Sequence, residues 1–494
     1  MSTFLWHDYE TWGANPRLDR PVQFAAIRTT PELEIVGEPV AFTCKPPRDR
    51  LPQPQACLIT GLIPQDAERD GMIEAEFAAA VHEQLAAPGT CAVGYNSIRF
   101  DDEVTRQLLY RNFFDPYARE WDNQCSRWDL IDLARMCYAL RPQGIEWPLR
   151  EDGTPSFRLE HLAIANHLEQ ARAHDALSDV EATIALAKLL RARQPRLFEW
   201  HLAMRRKQRV YELLDVANMT PLLHVSQRYP AERGCLAVVV PIAEHPQRKN
   251  EIIVADLDPD PAWAQFGAEE IRERLFVARA DLPEGEERVP LKTVHVNKSP
   301  ALAPLSVLQG VDAARIRLNL DRCLAHLAAL RTVENLAERV RAAFAQEIIH
   351  EAADPELALY AGFASDADRR RCAQVRATPP EQLGSREFGF ADPKFNELLF
   401  RYRARNWPQS FSPKEHARWI THCRDTLTKN TPLTTLTLEQ YENEIAALRA
   451  QMPPGEKQAL LDRLQAWGHD LRSFYAIFPD RQDQKADVHV RAFK

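Results

Sequence analysis

Two carboxylates lie two residues apart near the start of the chain, at Asp8 and Glu10. The surrounding residues 4–11 predict a buried β-strand, in which side chains two positions apart point to the same face. Carboxylates held so close repel each other unless a cation lies between them, and hard divalent ions prefer oxygen ligands. The pair therefore indicates a metal site. The alternative for an isolated pair of this kind is a solvated sheet face.

Further acids and a histidine follow at positions that could complete such a site. Asp101 stands before a helical pattern over residues 103–113, although an acid there can serve only as a helix cap. Asp175 is a second candidate cap, which would put Asp179 about one turn into its helix and His174 just before it. A histidine has an ordinary pKa of about 6.5 and accepts a proton near neutral pH. With these additional residues, a metal site is better supported than it is by Asp8 and Glu10 alone.

The segments that would position these residues predict an α/β region. Short polar links join the first strand to extended segments at residues 21–28 and 34–44, which predicts an antiparallel meander. Residues 91–96 predict a buried strand that returns beside the first. Apolar periodicity predicts helices over residues 74–85, 103–113, 128–140 and 156–168, the last with Arg158 in its first turn.

The pattern changes beyond about residue 195. Predicted strands and one helix of a small β-rich region follow, at residues 236–240, 251–255, 269–276 and 293–296. From about residue 350 the chain is mostly helical, with clear periodicity over residues 441–452 and 457–466. The sequence therefore predicts an α/β region, a β-rich region and a helical region in that order.

Composition is that of an ordinary globular protein. The 494 residues allow two to four domains, and the hydrophobic and charged contents are 45% and 27%. The nine cysteines never form a C-x-x-C pair, which argues against a disulfide framework or a zinc knuckle. A net charge of -8 argues against indiscriminate binding to polyanions. Since no apolar run could cross a bilayer and no leader segment is recognisable, we expect a cytoplasmic protein without a membrane partner.

The acids Asp8, Glu10, Asp101 and Asp179, together with His174, resemble the signature of the DEDDh exonucleases, which have a ribonuclease H-like fold. The surrounding sequence resembles bacterial exodeoxyribonuclease I, at residues 7–11, 94–96, 99–103, 156–162 and 173–176. The likeness continues beyond the nuclease region, at residues 58–61, 193–198, 294–298, 363–369 and 402–406. It therefore covers nearly the whole chain.

The resemblance implies a domain order and an activity. It divides the chain into a DEDDh exonuclease domain, an SH3-like accessory domain, a C-terminal helical domain and a tail, at residues 1–192, 195–348, 351–475 and 476–494. Members of the family degrade single-stranded DNA processively from the 3′ end and release 5′-mononucleotides, in DNA repair and recombination. Their three domains enclose the strand in a C-shaped groove. We expect a monomer with this activity.

The same chemistry assigns roles to the five residues. Two divalent ions about 4 Å apart serve both ends of an in-line displacement at phosphorus. We expect Mg²⁺, with Mn²⁺ as a substitute, bridged by Asp8; Glu10 and Asp179 bind the ion that carries the attacking water. Asp101 binds the second ion, and His174 accepts the proton of that water.

Substrate contacts are expected from two arginines, one acid and three aromatic residues. Arg158 matches the substrate-binding arginine of the family in its Ser-Phe-Arg motif, and Arg99 could also meet phosphates. The remaining candidates are Glu10, Phe24, Tyr95 and Phe100. The aromatic rings could stack on bases. Core packing is the alternative for Phe24 and Phe100.

The family also binds the acidic C-terminal tail of single-stranded DNA-binding protein. Arg141, Trp200 and Arg331 lie near positions that could correspond, but a tyrosine is expected where Trp200 stands. Two other functions remain open. A DEDDh exoribonuclease would use the same five residues, although the long chain after the nuclease region counts against the small ribonucleases. A non-catalytic DNA-binding scaffold would be favoured by loss of a ligand acid, and none is lost.

Overall fold

The structure is a computed structural model that describes residues 2–168, 175–277, 281–282, 287–345, 354–453 and 455–477. Within these residues the chain forms two five-stranded sheets and many helices. His174 lies outside the described residues, as does most of the expected tail. No helix in the described part is both long and apolar enough to span a membrane.

The first sheet contains β1 (Thr3–Thr11), β2 (Pro21–Thr29), β3 (Val40–Thr43), β4 (Thr90–Gly94) and β5 (Ser126–Asp129). Their order is β3-β2-β1-β4-β5; β1 pairs antiparallel with β2 and parallel with β4. This arrangement confirms the predicted meander and the buried strand beside the first. Within the predicted segment 34–44, only residues 40–43 form a strand, while Ile35 makes a single isolated bridge to Thr29.

The second sheet is antiparallel throughout and has the order β10-β6-β7-β8-β9. Its strands are β6 (Leu222–Val225), β7 (Leu236–Glu244), β8 (Glu251–Asp256), β9 (Leu291–His295) and β10 (Ala301–Pro304). The strands predicted from residues 236–240, 251–255 and 293–296 all belong to it. The β-rich region expected in the middle of the chain is therefore present.

Helices connect and flank the sheets. In the first region they are α1 (Pro54–Thr60), α2 (Pro64–Asp70), α3 (Glu74–Leu85), α4 (Asp101–Arg111), α5 (Leu130–Leu140), α6 (Leu159–Ala165) and α7 (Ala176–Arg193). Beside the second sheet they are α8 (Pro195–Ala203), α9 (Lys207–Leu213), α10 (Ala268–Phe276), α11 (Leu320–Arg331) and α12 (Leu336–Phe344). The last region has α13 (Asp366–Ala377), α14 (Lys394–Asn406), α15 (Pro413–Thr428), α16 (Leu438–Gln451) and α17 (Glu456–Phe474).

Three helix starts in the first region were predicted wrongly. The helix expected from residue 103 begins at Asp101, and its N-cap is Phe100. The helix expected from residue 128 begins at Leu130, because Trp128 is buried in strand β5 and Asp129 caps α5 with its side chain. The helix expected from residue 156 begins at Leu159. Arg158 is its N-cap, with extended backbone angles, and does not lie in the first turn.

Strand β1 is buried on both faces, which explains its apolar sequence. Phe4 and Trp6 pack on one face against Trp128, with ring centroids 6.0 and 6.5 Å from it. Tyr9 packs on the other face against Phe24, at 4.9 Å. By the strand period, Asp8 and Glu10 continue the face of Phe4 and Trp6. Helix α7 covers that face, since its apolar side chains belong to the same core cluster as Trp6.

Candidate active site

Three carboxylates meet where β1 and α7 cross. One oxygen from each of Asp8, Glu10 and Asp179 lies within 4.8 Å of the other two. Strand β1 supplies two of them on one face, and α7 supplies the third from its first turn. The predicted cap fixes that turn, because the Asp175 side chain accepts a hydrogen bond from the Leu177 amide at 3.1 Å. The predicted convergence of these three acids is therefore found.

Asp101, from helix α4, is hydrogen-bonded to the same strand. It is the first residue of α4 and is 3% exposed. Its Oδ1 accepts a hydrogen bond from the Tyr9 amide, at 3.2 Å, between the two acids of β1. Asp101 does not belong to the group of oxygens that all lie within 4.8 Å. It therefore borders the cluster of three without joining its tightest part.

The electrostatics of the cluster favour a cation. Burial and the charge of Asp179 raise the pKa of Asp8 well above its usual range. Burial, together with Asp8, Asp179 and Asp175, raises the pKa of Glu10 to about 9. Burial and Asp8 raise the pKa of Asp101 in the same way. All the donors are carboxylate oxygens, so the residues present fit a hard divalent ion that would neutralise their repulsion.

The neighbouring acid, Asp102, has a different environment. Its two oxygens accept hydrogen bonds from Arg119 and Arg127, both at 2.6 Å, and all three side chains are buried. Burial alone would raise the pKa of Asp102, but the two arginines lower it well below its usual range. Asp102 therefore anchors α4 while its neighbour Asp101 faces the cluster. Sequence reasoning missed this network, because the acid and its arginines are far apart in a chain with many such residues.

One substrate candidate was wrong. Phe24 has no exposed surface and lies between His7 and Phe42, with ring centroids 5.9 and 6.2 Å away. It is therefore a core residue and has no free face for a base. Phe24 packs in the core between β1 and helix α3. The strand pattern alone could not distinguish this buried position from one that faces a substrate.

Four of the other substrate candidates are at least partly accessible, whereas Glu10 is buried. Tyr95 is half-buried and donates a hydrogen bond from its hydroxyl to the Phe157 carbonyl at 2.7 Å. Phe100 is half-buried against the core at the N-cap of α4. Arg99 and Arg158 are exposed. Contacts with a substrate remain predictions for these four residues.

A large cavity of about 2610 Å³ lies among the three regions of the chain. Its lining includes Arg99 and many other basic side chains, among them Arg17, Arg205, Arg206, Lys207, Arg248, Lys249, Arg272 and Lys298. Exposed aromatic side chains also line it, namely Trp121, Phe276 and Phe363. Positive charge and accessible rings are the features that a single nucleic-acid strand requires.

The three residues expected to bind a protein tail bridge the first two regions or lie within the second. Arg141 donates to the carbonyls of Val307 and Gln309, at 3.0 and 3.1 Å. The Trp200 indole donates to the Leu302 carbonyl at 2.7 Å. Arg331 is exposed and donates to the carbonyls of 218 and 219. Binding of the acidic tail of single-stranded DNA-binding protein by these three residues stays a prediction.

Profiles of three families match successive parts of the chain. The Exonuclease profile matches residues 5–187, the Exonuclease I SH3-like domain residues 205–346, and the Exonuclease I C-terminal domain residues 353–471. Exodeoxyribonuclease I of Escherichia coli K12 is 46% identical over 474 residues, which is 95% of this chain and 98% of that protein. The chain belongs to the exodeoxyribonuclease I family. The Haemophilus influenzae member is 42% identical over the same shares of both chains.

Solved members of the family have the same fold. Exonuclease I from Methylocaldum szegediense is 48% identical with a TM-score of 0.91, over 95% of this chain and 100% of that one. Escherichia coli exonuclease I in complex with a dA16 oligonucleotide is 46% identical with a TM-score of 0.90, over the same shares. The expected fold class is thereby confirmed: an exonuclease domain, an SH3-like domain and a helical C-terminal domain. This exodeoxyribonuclease I family member is a nuclease, and its fold implies dependence on a divalent metal.

Proposed function

We propose that this protein degrades single-stranded DNA from the 3′ end, releasing 5′-mononucleotides processively, in DNA repair and recombination. The observation that carries the proposal is the convergence of Asp8, Glu10 and Asp179 within 4.8 Å at the end of a buried strand. Family relatives support the choice of DNA, since Escherichia coli exonuclease I has been solved with oligodeoxynucleotides such as dA16 and dT13.

Metal binding is assigned to the four acids. Asp8 would bridge two Mg²⁺ ions, Glu10 and Asp179 would hold one of them, and Asp101 would hold the other; Mn²⁺ is a substitute. Bound divalent ions supply activated water and charge stabilisation for the leaving oxygen. The protein contributes the fixed orientation of its carboxylates: β1 holds two, the first turn of α7 holds one, and the Tyr9 amide holds Asp101.

Proton transfer and substrate positioning are assigned to other side chains. His174 would accept the proton of the attacking water, since a neutral imidazole can act as a general base. Arg158 and Arg99 are exposed cations suited to phosphates, and Glu10 would also contact the terminal nucleotide. Tyr95 and Phe100 would lie against bases.

The cavity lined by basic residues would hold the rest of the strand. A strand enclosed by three domains slides to the next bond more often than it escapes, which accounts for processive digestion. We place the domain limits at residues 1–192, 195–348 and 351–475, followed by a tail. The protein would act as a cytoplasmic monomer. It would bind the C-terminal tail of single-stranded DNA-binding protein, as the solved complex of that protein with exonuclease I suggests.

A comparison of substrates tests the proposal. The protein is incubated with 5′-labelled single-stranded DNA, double-stranded DNA and RNA of one sequence, with Mg²⁺ or with EDTA. We expect stepwise shortening of the single-stranded DNA from its 3′ end, only with Mg²⁺. Preference for RNA would contradict the proposal, and binding without cleavage would indicate a scaffold.

A further inference from the structure

The loop between β4 and α4 carries Asp101 to the cluster and adopts an unusual backbone conformation. Asn96 has a φ of +62°, in the left-handed region that non-glycine residues rarely adopt. The loop then turns tightly, since the Asp102 amide donates to the Ser97 carbonyl at 2.9 Å. Such a conformation persists only when neighbouring groups hold it.

The carboxylate of Asp129 holds the loop from the adjacent strand. Asp129 ends β5, where it pairs in register with Gly94, and it is 4% exposed. Its Oδ1 accepts a hydrogen bond from the Asn96 amide at 2.8 Å, and its Oδ2 accepts one from the Ile98 amide at 3.2 Å. Both amides belong to the loop. The two oxygens of one buried carboxylate therefore fix two points of the same turn.

Helix capping explains only part of this arrangement. As the N-cap of α5, Asp129 needs one oxygen for the Ile131 amide, which Oδ1 accepts at 3.1 Å. A serine would satisfy that amide equally well. The contacts to Asn96 and Ile98 cross to a different element: Oδ1 accepts from the Asn96 amide in addition to the capped amide, and only the Ile98 contact requires the second oxygen. They are thus separate from the capping of α5.

The loop has little freedom to find another position. A Cβ atom added at Gly94 would lie 2.6 Å from Cβ of Ser97 and 3.1 Å from the carbonyl oxygen of His7. Ser97 of the loop is therefore packed directly against Gly94, the last residue of β4, which itself lies beside the His7 carbonyl of β1. The far end of the loop is Asp101, whose Oδ1 accepts from the Tyr9 amide. A shift at residues 96–98 would be transmitted to Asp101.

We propose that Asp129 is a positioning residue: its carboxylate fixes the 96–98 turn and thereby sets the distance between Asp101 and Asp8. It contacts neither substrate nor metal and acts through Asp101. The expected effect on metal binding rests on the proposed function, since it assumes that Asp101 is a metal ligand. The structural consequence, a fixed turn, does not depend on that function.

The variant Asp129→Ser separates the two roles of the carboxylate. It keeps a cap for α5 and removes the second oxygen from the loop. We expect the amides of residues 96 and 98 to exchange hydrogen faster, measured by mass spectrometry on the peptide 94–100. We also expect Mn²⁺ binding, measured by titration calorimetry, to weaken about tenfold to a hundredfold, the usual effect of losing an outer partner of a metal ligand. Affinity for oligothymidine in EDTA should stay the same.

Two further variants make the result decisive. Asp260→Ser is the matched control, because Asp260 caps a short helix in the second region through the Ala262 amide and lies on no path to the cluster. Asp129→Asn retains one acceptor oxygen and should fall between wild type and Asp129→Ser in both exchange and Mn²⁺ affinity. If Asp129→Ser does not fold, Asp129→Asn is compared with wild type in its place.

Two outcomes would overturn the inference. Unchanged Mn²⁺ affinity with a loosened 96–98 turn would show that Asp101 is positioned without this loop. Parallel loss of Mn²⁺ affinity, oligothymidine affinity and thermal stability would show a general structural role. If the wild-type protein failed to cleave single-stranded DNA, the proposed function would fail by itself. The exchange and calorimetric results would still decide the role of Asp129.

Discussion

At the scale of single residues, the acids of the cluster carry an electrostatic cost that a bound ion would remove. Glu10 is the clearest case, because burial and three neighbouring acids raise its pKa from an ordinary 4.5 to about 9. An acid with a raised pKa in the folded state stabilises the fold when protonated, at pH below about 4.5, and loses that contribution as pH rises toward 9. In the metal-free protein, ionised Glu10 therefore opposes folding.

Glu10→Gln should stabilise the metal-free protein and weaken its response to metal. We expect the thermal midpoint in EDTA to rise relative to wild type at pH 8, by an amount equivalent to about 1 kcal/mol or more. Added Mg²⁺ should raise the wild-type midpoint more than that of the variant, because ligand binding stabilises only the state that binds. Calorimetric scans at pH 5 and pH 8 check both effects. Equal responses to Mg²⁺ would exclude Glu10 as a ligand.

Loss of either of two other acids should stop the reaction without preventing strand binding. We expect Asp8→Ala and Asp179→Ala to lower the cleavage rate by more than about 100-fold, since even outer partners of metal ligands are worth 10–100-fold. Binding of oligothymidine in EDTA should survive, because the basic cavity is unchanged. Single-turnover cleavage and fluorescence anisotropy measure the two. A parallel loss of folding stability would count against a catalytic role.

His174→Ala should slow turnover while sparing metal affinity. General-base catalysis contributes about 10²–10⁴-fold, so we expect a rate reduction in that range at neutral pH. Removing a general base also removes its titration from the pH profile of the rate, which should become flatter. The profile is measured as single-turnover rate against pH at saturating Mg²⁺. A wild-type rate in the variant would exclude the assigned role.

At the scale of elements, local signals predicted the start of α7 and missed the start of α5, although a side chain caps both helices. Asp175 was recognised as the cap of α7 because the sequence shows a cap followed by an apolar face. The last two residues of β5, Trp128 and Asp129, were included in a predicted helix, since the strand runs directly into α5 and only burial in the sheet distinguishes them. Phe24 was ambiguous for the same reason: alternation gives a face of a strand without telling what covers it.

Helix α4 depends on an anchor that no local pattern indicated. Asp102 neutralises Arg119 and Arg127, which are both buried. We expect Asp102→Ala to destabilise the protein by about 3–5 kcal/mol, because it leaves two buried guanidinium groups without their shared carboxylate. Urea unfolding checks the free-energy change. Glu120 also pairs with Arg127, at 3.0 Å, so a loss well below this range would mean that Glu120 compensates.

At the scale of the whole molecule, a buried ion cluster joins the nuclease region to the helical region. The carboxylate of Glu356, in the short 3₁₀-helix Pro355–Tyr360, contacts four arginines. They are Arg20 and Arg50 from the nuclease region, and Arg401 and Arg405 from α14. Two of the contacts measure 3.1 and 3.2 Å, to Arg50 and Arg401. A single side chain thus binds cations from both regions.

Sequence alone could not have found this cluster. Arg20 and Glu356 are 336 residues apart, and neither belongs to a recognisable motif. Resemblance to known nucleases implied three regions around a groove, because motifs identify domains. It did not imply which side chains join them. Those pairs arise only when folded surfaces meet, and a chain with 62 basic and 70 acidic residues offers too many alternatives for spacing to decide.

Glu356→Gln should loosen the contact between the two regions and shorten each run of digestion. Burial would raise the pKa of Glu356, but Arg405, Arg20 and Arg50 lower it well below 4.5, so the ionised form stabilises the fold. That contribution is present above pH 4.5 and is lost as pH falls through the lowered pKa. Neutralising the side chain at pH 7 should therefore cost about 3–5 kcal/mol of stability.

The kinetic consequence is separable from a general loss of activity, because the ion pairs of Glu356 are with arginines that have no assigned role in metal binding. We expect the first cleavage of a pre-bound, 5′-labelled oligothymidine to keep its wild-type rate, while an excess of unlabelled competitor DNA traps the variant after fewer steps. Glu442→Gln is the control, since its pairing with Arg472 is partly exposed and links two helices of the same region. A variant that loses stability yet retains the wild-type run length would contradict this prediction. It would show that the cavity lining holds the DNA strand and that the contact between the two regions does not control its dissociation.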